Sequence, residues 1–210
     1  MKKEIILIGY AGHAFTVIEA AMTNNFEISG YFDSEEKAFN PFNLKYLGTE
    51  YGFDFGQFKQ ETIVFPSVGE NNIRKKMVDF IVSKKLNEIK LIHTTASIGF
   101  HVFIGDSTLV APNVSVNSLS KIGRACILNT NCVIEHECVV EDFTHIGPGA
   151  VLAGNVTVGE LTFVGANTTV KQGVKIGRNC IIGAGSVVLN DIPDNTVYVG
   201  NPAKYLKENV

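Results

Sequence analysis

The chain is predicted to fold as a small N-terminal α/β domain, Rossmann-like with a parallel sheet, followed by a left-handed parallel β-helix of hexapeptide repeats and a short C-terminal tail. Three observations predict this. An aliphatic residue returns every six positions through the second half of the chain. A small or β-branched residue follows each of them at a fixed offset. Residues 1 to about 86 lack that period and instead alternate strand and helix patterns. The predicted boundaries are 1–86 for the α/β domain, 87–192 for the β-helix and 193–210 for the tail.

In the front domain Ile5-Ile6-Leu7-Ile8 reads as a buried strand. Gly9-Tyr10-Ala11-Gly12-His13 follows it, and an apolar-periodic helix then runs to about Asn24. Glu27 to Phe32 is a second strand ending at Asp33, and Thr62 to Pro66 a third. Ser67-Val68-Gly69-Glu70-Asn71 leads from it into a helix through Ser83. Alternation of this kind implies a parallel sheet with ligands at the carboxyl ends of its strands. The glycine loop at a helix start would turn backbone N–H groups and the helix dipole toward a phosphate. Asp33 stands where an acidic residue binds a ribose or sugar hydroxyl. The loop lacks the three spaced glycines of a dinucleotide fingerprint, so a purely structural turn stays open. Residues 35–60 read as an irregular crossover.

From Ile92 to Val188 the six-residue series of Ile, Leu or Val makes seventeen consecutive hits. Six is a multiple of the strand period of two and is not a helical period. Four places after each aliphatic stands a residue such as Ala96, Thr108, Cys126 or Thr144. Glycine follows the aliphatic directly at eight positions (99, 105, 123, 147, 159, 165, 177 and 183), which reads as the flexible residue of a sharp turn. Each hexad makes one wall, three walls close a triangular coil of 18 residues, and coils stack about 4.8 Å apart. Residues 18 apart therefore lie above one another. Cys126, Cys132, Cys138 and Cys180 all take the small inward position. The first three face inward from three different walls, so they cannot converge on an ion, and no metal is predicted. They read as buried small residues in a reducing compartment.

Composition narrows the partners. With 45% hydrophobic and 19% charged residues and a net charge of −3, the chain gives no reason to expect nucleic acid or an anionic membrane. No stretch approaches the roughly 18 apolar residues of a membrane span. The start, Lys2 to Gly9, is too short and too interrupted for a signal peptide. A cytoplasmic protein is expected.

The corners of the prism carry three vertical rows. Ser118, His136, Gly154, Gln172 and Asn190 form one; Pro112, Thr130, Pro148, Ala166 and Ala184 form another; Arg124, Asp142, Glu160 and Arg178 form a charged third. Glu135-His136-Glu137 is the densest group of titratable side chains on the repeat. A carboxylate beside an imidazole fixes its tautomer and raises its basicity, as a general base requires. Rows of small residues would let a cofactor touch the backbone. Flat walls suit a closed cyclic trimer, in which one chain's His136 would meet another's small-residue row across a cleft.

These residues resemble the bacterial nucleotide-sugar N-acetyltransferases of the bacillosamine type, relatives of the sialic-acid O-acetyltransferases. The resemblance covers nearly the whole chain. It rests on Gly9-Tyr10-Ala11-Gly12-His13, Leu91-Ile92-His93, Asn129-Thr130, Val133 to Cys138, Leu152 to Val156, Asp191-Ile192-Pro193 and Gly200 to Lys204. It implies acetyl-CoA as co-substrate and His136 as general base oriented by Glu137. It further implies direct attack on the thioester by the 4-amino group of a nucleotide-linked 4-amino-4,6-dideoxy sugar, for surface glycan biosynthesis. Asn129 would lie near the reacting centre, and His145, Gly154, Ala166, Ala184 and Lys204 would line the acetyl-CoA cleft. Gly9, Tyr10, Gly12, His13 and Asp33 would hold the sugar nucleotide, whose nucleotide (UDP, dTDP or GDP) and exact sugar stay open. The chain departs from the family at Tyr10, where a small residue is usual and where fit of nucleotide or sugar would change, and at Thr94, where proline is usual.

Three other readings compete. A sugar O-acetyltransferase would use the same His-Glu pair on a hydroxyl, and a non-catalytic sugar-nucleotide-binding protein would use neither. A metal-dependent hydratase needs three converging histidines, and His101, His136 and His145 share no row.

Overall fold

The computed structural model describes residues 3–58 and 61–210; Met1, Lys2 and, in the predicted crossover, Lys59 and Gln60 lie outside it. The front domain is a three-stranded parallel sheet in the order β2-β1-β3, formed by β1 (Glu4–Ile8), β2 (Glu27–Phe32) and β3 (Ile63–Pro66). Helix α1 (Gly12–Thr23) covers one side of it and helix α2 (Asn71–Ser83) the other. All of Ile5 to Ile8 is fully buried, because their side chains alternate between the two covered sides. The crossover has little regular structure beyond a 3₁₀ turn at Phe55–Gln57, yet Phe53, Phe55 and Phe58 pack with Phe32 and Phe80 as the outer cover on the α2 side.

Seventeen two-residue strands follow, from Leu91–Ile92 to Val187–Val188, one per hexad. They fall into three parallel sheets in which every strand pairs with the one 18 residues away, as Val133↔Val151 does. Face one includes Leu109–Val110 and His145–Ile146, face two Val133–Ile134, and face three Val139–Val140. The aliphatic series fills the interior: Val110, Ile122, Leu128, Ile134, Ile146, Leu152 and Val164 are all fully buried. The small inward position has a polar duty as well as a steric one. Thr108, Ser120 and Thr144 donate to the carbonyls of Gly123, Glu135 and Gly159 at 2.8, 2.8 and 3.0 Å. Cys126, Cys138 and Cys180 do the same with their thiols, to Glu141 O, Ala153 O and Pro193 O. A bare hydrocarbon there would leave those interior carbonyls underused.

The turn chemistry differs from the sequence expectation. The glycine directly after the aliphatic does not supply the turn. Every sixth residue from His101 to Gly185, three places after the aliphatic, has φ between +50° and +74°; Asn113, Asn131, Gly149, Asn155 and Gly173 are among them. Glycine and asparagine tolerate that left-handed conformation best. The glycine after the aliphatic answers a different demand, close approach of stacked coils. A Cβ on Gly105 would lie 2.6 Å from Arg124 N, and one on Gly165 2.5 Å from Ala184 N.

The tail continues the prism. β21 (Thr196–Val199) adds a parallel strand to face one, and β22 (Lys204–Glu208) folds back antiparallel on it. The front domain sits on face one. The outward residues Leu91 and Leu109, each 1% exposed, join the cluster of Tyr10, Val17, Ile18 and Tyr31. Burying each leucine contributes about 2 kcal/mol to holding the two domains together. Asn24 Nδ2 also donates to Ile92 O at 2.7 Å, tying the end of α1 to the first coil.

Candidate active site

His136 stands on the corner between faces two and three, at the end of the strand Val133–Ile134. Its carbonyl accepts the Asn155 N–H, and Ser118 O below accepts the Glu137 N–H, so stacked coils fix the backbone on both sides. Glu137 occupies the left-handed corner position with φ +60°, which turns its carboxylate back to His136; Glu137 Oε2 lies 3.1 Å from Nδ1. The carboxylate accepts, so Nδ1 carries the proton and Nε2 is left with its lone pair. The His136 side chain is 53% exposed, open to an incoming ligand. On the other flank Asn117 Nδ2 donates to Glu135 Oε2 at 2.7 Å. The ring lies over the corner one coil up. A Cβ on Gly154 would come within 2.5 Å of His136 Cε1 and 2.6 Å of Nε2, so glycine there is what admits the ring.

The remaining predicted residues gather elsewhere in the chain. Asn129, Ala166 and Ala184 lie along the corner between faces one and two, and the Gly200–Lys204 turn caps that corner, with Val187 N donating to Gly200 O and Ala203 N to Val187 O. Lys204 is exposed there. Gly154, on the His136 corner, is therefore separated within one chain from the alanine row.

His145 points out from face one and is covered by the front domain, 8% exposed. Its Nδ1 lies 3.3 Å from Gly69 O and its Nε2 3.1 Å from Asn129 Nδ2. Both ring nitrogens are thus engaged inside the chain, while the ring itself lines a cavity. His13, on α1, faces it at 6.2 Å between ring centroids, and His13 Nε2 is buried without a partner. Burial, reinforced by the nearby Arg74 guanidinium, pushes His145 down to about 3 and His13 to about 4, so both are neutral near pH 7. A cavity of about 660 Å³ opens beside His145 between Glu70, Asn72, Phe163, Ile181 and Asn209.

At the carboxyl ends of the front strands, Gly9 and Asp33 line a second cavity of about 370 Å³ with Ser34, Tyr51, Val68 and Met77. Asp33 accepts the Tyr10 N–H at 2.8 Å and pairs with Lys37 at 3.1 Å; despite partial burial these donors hold its carboxyl below the usual range. Tyr10 does not line this cavity. Its ring is 2% exposed, stacks on Tyr31 at 4.2 Å and donates to Asn40 Oδ1, so the departure at Tyr10 strengthens the core rather than reshaping a ligand site. The α1 N-terminus, with Gly12 exposed, has no side-chain cap, whereas Glu70 caps α2 through Asn72 N and Ile73 N. The first of these termini leaves amides without a side-chain acceptor, as an anion site requires.

Arg74 was missed from the sequence. It is 1% exposed and crosses from α2 into the β-helix. The signal was present: Asn71, Arg74, Val78 and Ile81 form the buried stripe of α2, with a cation where an apolar residue is usual. Among the described residues no three His, Cys, Asp or Glu side chains are grouped to hold a metal ion, and no helix is long and apolar enough to cross a membrane.

Comparison with known proteins agrees with this architecture. Residues 4–81 match the PglD N-terminal domain family, and residues 137–172 and 155–190 match the bacterial transferase hexapeptide (six repeats). The structure superposes on PerB from Caulobacter crescentus, solved in complex with CoA and GDP-perosamine, with a TM-score of 0.91 and 31% identity over 97% of each chain. It matches the acetyltransferase domain of PglB from Neisseria gonorrhoeae, in complex with acetyl coenzyme A, with a TM-score of 0.91 and 28% identity over 98% of this chain and 100% of that one. The GDP-perosamine N-acetyltransferase of Escherichia coli is 28% identical over 134 residues, 64% of this chain and 52% of that protein, so the match spans about half the length of that curated relative. The chain belongs to the bacterial nucleotide-sugar acetyltransferases of the hexapeptide-repeat family.

Proposed function

We propose that the protein transfers the acetyl group of acetyl-CoA to the 4-amino group of a nucleotide-linked 4-amino-4,6-dideoxy sugar, with His136 as general base. The observation that carries this reading is the His136–Glu137 pair, whose half-exposed imidazole lies over Gly154. The amine nitrogen attacks the thioester carbonyl, the C–N bond forms and the C–S bond breaks. His136 Nε2 takes the proton lost by nitrogen and returns it to the leaving thiolate. General-base help of this kind is worth about 10²–10⁴-fold. The Gly154 N–H is the candidate donor to the developing oxyanion.

The two halves of the site lie on different sides of one prism. His136 and Gly154 are on the corner opposite face one, whereas the front domain, Asn129, Ala166 and Ala184 lie on or beside face one. A ligand held by the front domain of one chain therefore meets the His136 of another. A homotrimer with a cleft between neighbouring prisms supplies that arrangement in closed form. The 660 Å³ cavity beside His145 is the part of the cleft this chain contributes from face one.

The test is thiol release from acetyl-CoA against UDP-, dTDP- and GDP-linked 4-amino-dideoxy sugars and one hydroxyl analogue, beginning with GDP-perosamine, the ligand of the relative from Caulobacter crescentus. A rate on one amino sugar that falls at least about 100-fold in His136→Ala supports the reading. A His136→Ala rate near wild type removes the base assignment. Acetylation of the hydroxyl analogue alone moves the enzyme to the O-acetyltransferases.

A further inference from the structure

The cation at the domain junction has no partner in direct ion-pair contact; the Glu70 carboxylate that caps the same helix acts on it from further off. Arg74 is buried and makes no ion pair among the described residues. All five of its N–H donors go to neutral oxygens. Nε donates to Ala125 O at 2.7 Å, Nη2 to Asn71 Oδ1 and Phe143 O at 2.8 Å each, and Nη1 to Gly69 O at 3.0 Å and Val68 O at 3.4 Å. Holding a charge in the interior without an ion pair is costly. Pairing carbonyls of both domains is a structural reason for a guanidinium here, but not a functional one.

The neighbours supply one. Asn129 Oδ1 accepts the Thr130 N–H at 2.8 Å, which fixes the amide so that Nδ2 is the atom facing His145. Nδ2 can only donate, so His145 Nε2 is the acceptor. A neutral imidazole with Nε2 accepting carries its proton on Nδ1, and Nδ1–H then donates to Gly69 O. That carbonyl is the one Arg74 Nη1 also engages. With one Nδ2 hydrogen committed to His145, the half-buried Asn129 has its second left over at the corner between faces one and two.

We propose that Arg74 is a positioning residue for acetyl transfer: it fixes the Gly69 carbonyl as the acceptor of His145 Nδ1–H, and so keeps the ring where, together with the Thr130 N–H, it aims the free N–H of Asn129 into the cleft. This rests on the reading of Asn129 as a group beside the reacting centre. The charge of Arg74 acts in the same direction, because a second cation on His145 would sit against it, and protonated Nε2 could not accept from Asn129.

Two measurements on the full chain test it. Histidine-ring ¹⁵N NMR at pH 7 reads the His145 tautomer in wild type, Arg74→Lys and Arg74→Gln. Steady-state kinetics compare wild type, both Arg74 variants, Asn129→Ala and the Arg74→Gln/Asn129→Ala double variant, with thermal melts alongside. The wild-type His145 is expected as the Nδ1–H tautomer and Arg74→Gln as a mixture or the other form. In Arg74→Gln, kcat falls at least tenfold while the KM for acetyl-CoA stays within about threefold; Arg74→Lys recovers most of the loss. The double variant is no slower than Asn129→Ala, since Arg74 acts through that amide. An unchanged His145 tautomer in Arg74→Gln, or losses that multiply in the double variant, overturns the proposal. If Arg74→Gln does not fold, Arg74→Met, which keeps an apolar stem and loses every donor, carries both readouts by the same criteria. If the wild type acetylates no amine offered, the functional reading fails, and the NMR arm decides the tautomer by itself.

Discussion

Gly154→Ala isolates the position of the base from its chemistry. The new Cβ would lie 2.5 Å from His136 Cε1, 2.6 Å from Nε2 and 3.2 Å from Nδ1. Carbon atoms settle about 3.5–4.0 Å apart, so the ring must move by about 1 Å. It can do so cheaply, since it is half exposed and held by one hydrogen bond to Glu137. Gly154 is not among the glycines with positive φ, so alanine fits its backbone, and lower entropy of the unfolded chain adds about 0.4–1 kcal/mol of stability. A 1 Å misplacement of a reacting group costs about 10²-fold in rate, or about 2.7 kcal/mol of transition-state stabilisation. The variant should therefore melt at or above the wild-type temperature while kcat for thiol release falls about 100-fold. A Gly154→Ala enzyme within threefold of wild type would show that the ring's place over this corner is irrelevant to the chemistry. A large drop in melting temperature would show that the clash is met by the backbone instead.

Two further expectations follow from the corner geometry and the buried histidines. Glu137 holds a left-handed φ of +60° where asparagine recurs along the prism, so Glu137→Asn should gain up to about 1 kcal/mol of stability while kcat falls at least tenfold; chemical denaturation and thiol release check the two signs, and lower stability or full activity contradicts the assignment. His13 and His145 titrate in the fold at about 4 and 3 and near 6.5 when unfolded. The unfolded chain thus takes up protons first, and their stabilising effect is complete above pH 6.5 and is lost as pH falls toward 3–4. At pH 5 each has withdrawn about 2 kcal/mol relative to pH 7. Urea midpoints should fall over that window and fall less in His13→Asn; a flat profile from pH 7 to 5 rules out the buried neutral pair.

How far the sequence reaches depends on whether a feature is periodic. The hexads were legible because one inward aliphatic per six residues is a local demand repeated along the chain, and stacking at 18 residues follows from closing three walls. His136 and Gly154 could be placed one above the other on that rule alone. The role of the glycine after each aliphatic was misread because φ and close approach leave the same trace in a sequence. Only coordinates show that His101, Asn113 and their successors make the turn while Gly105 and Gly165 make room for the next coil. Tyr10 was likewise read as facing a ligand, but the stacking with Tyr31 that buries it joins residues on different elements.

The sequence by itself determined the two-part architecture, the inward residues of the prism and the Glu-His-Glu corner, since each is written in short-range spacing. The tertiary structure alone decided that face one carries the front domain, that His145 serves Asn129 rather than solvent, and that Arg74 lies buried among carbonyls of both domains. Those contacts join α2 to coils 51 and 69 residues further along the chain. No local pattern encodes which wall of a three-sided prism a separate domain will cover; that is set by where exposed apolar residues such as Leu91 and Leu109 find a complementary surface.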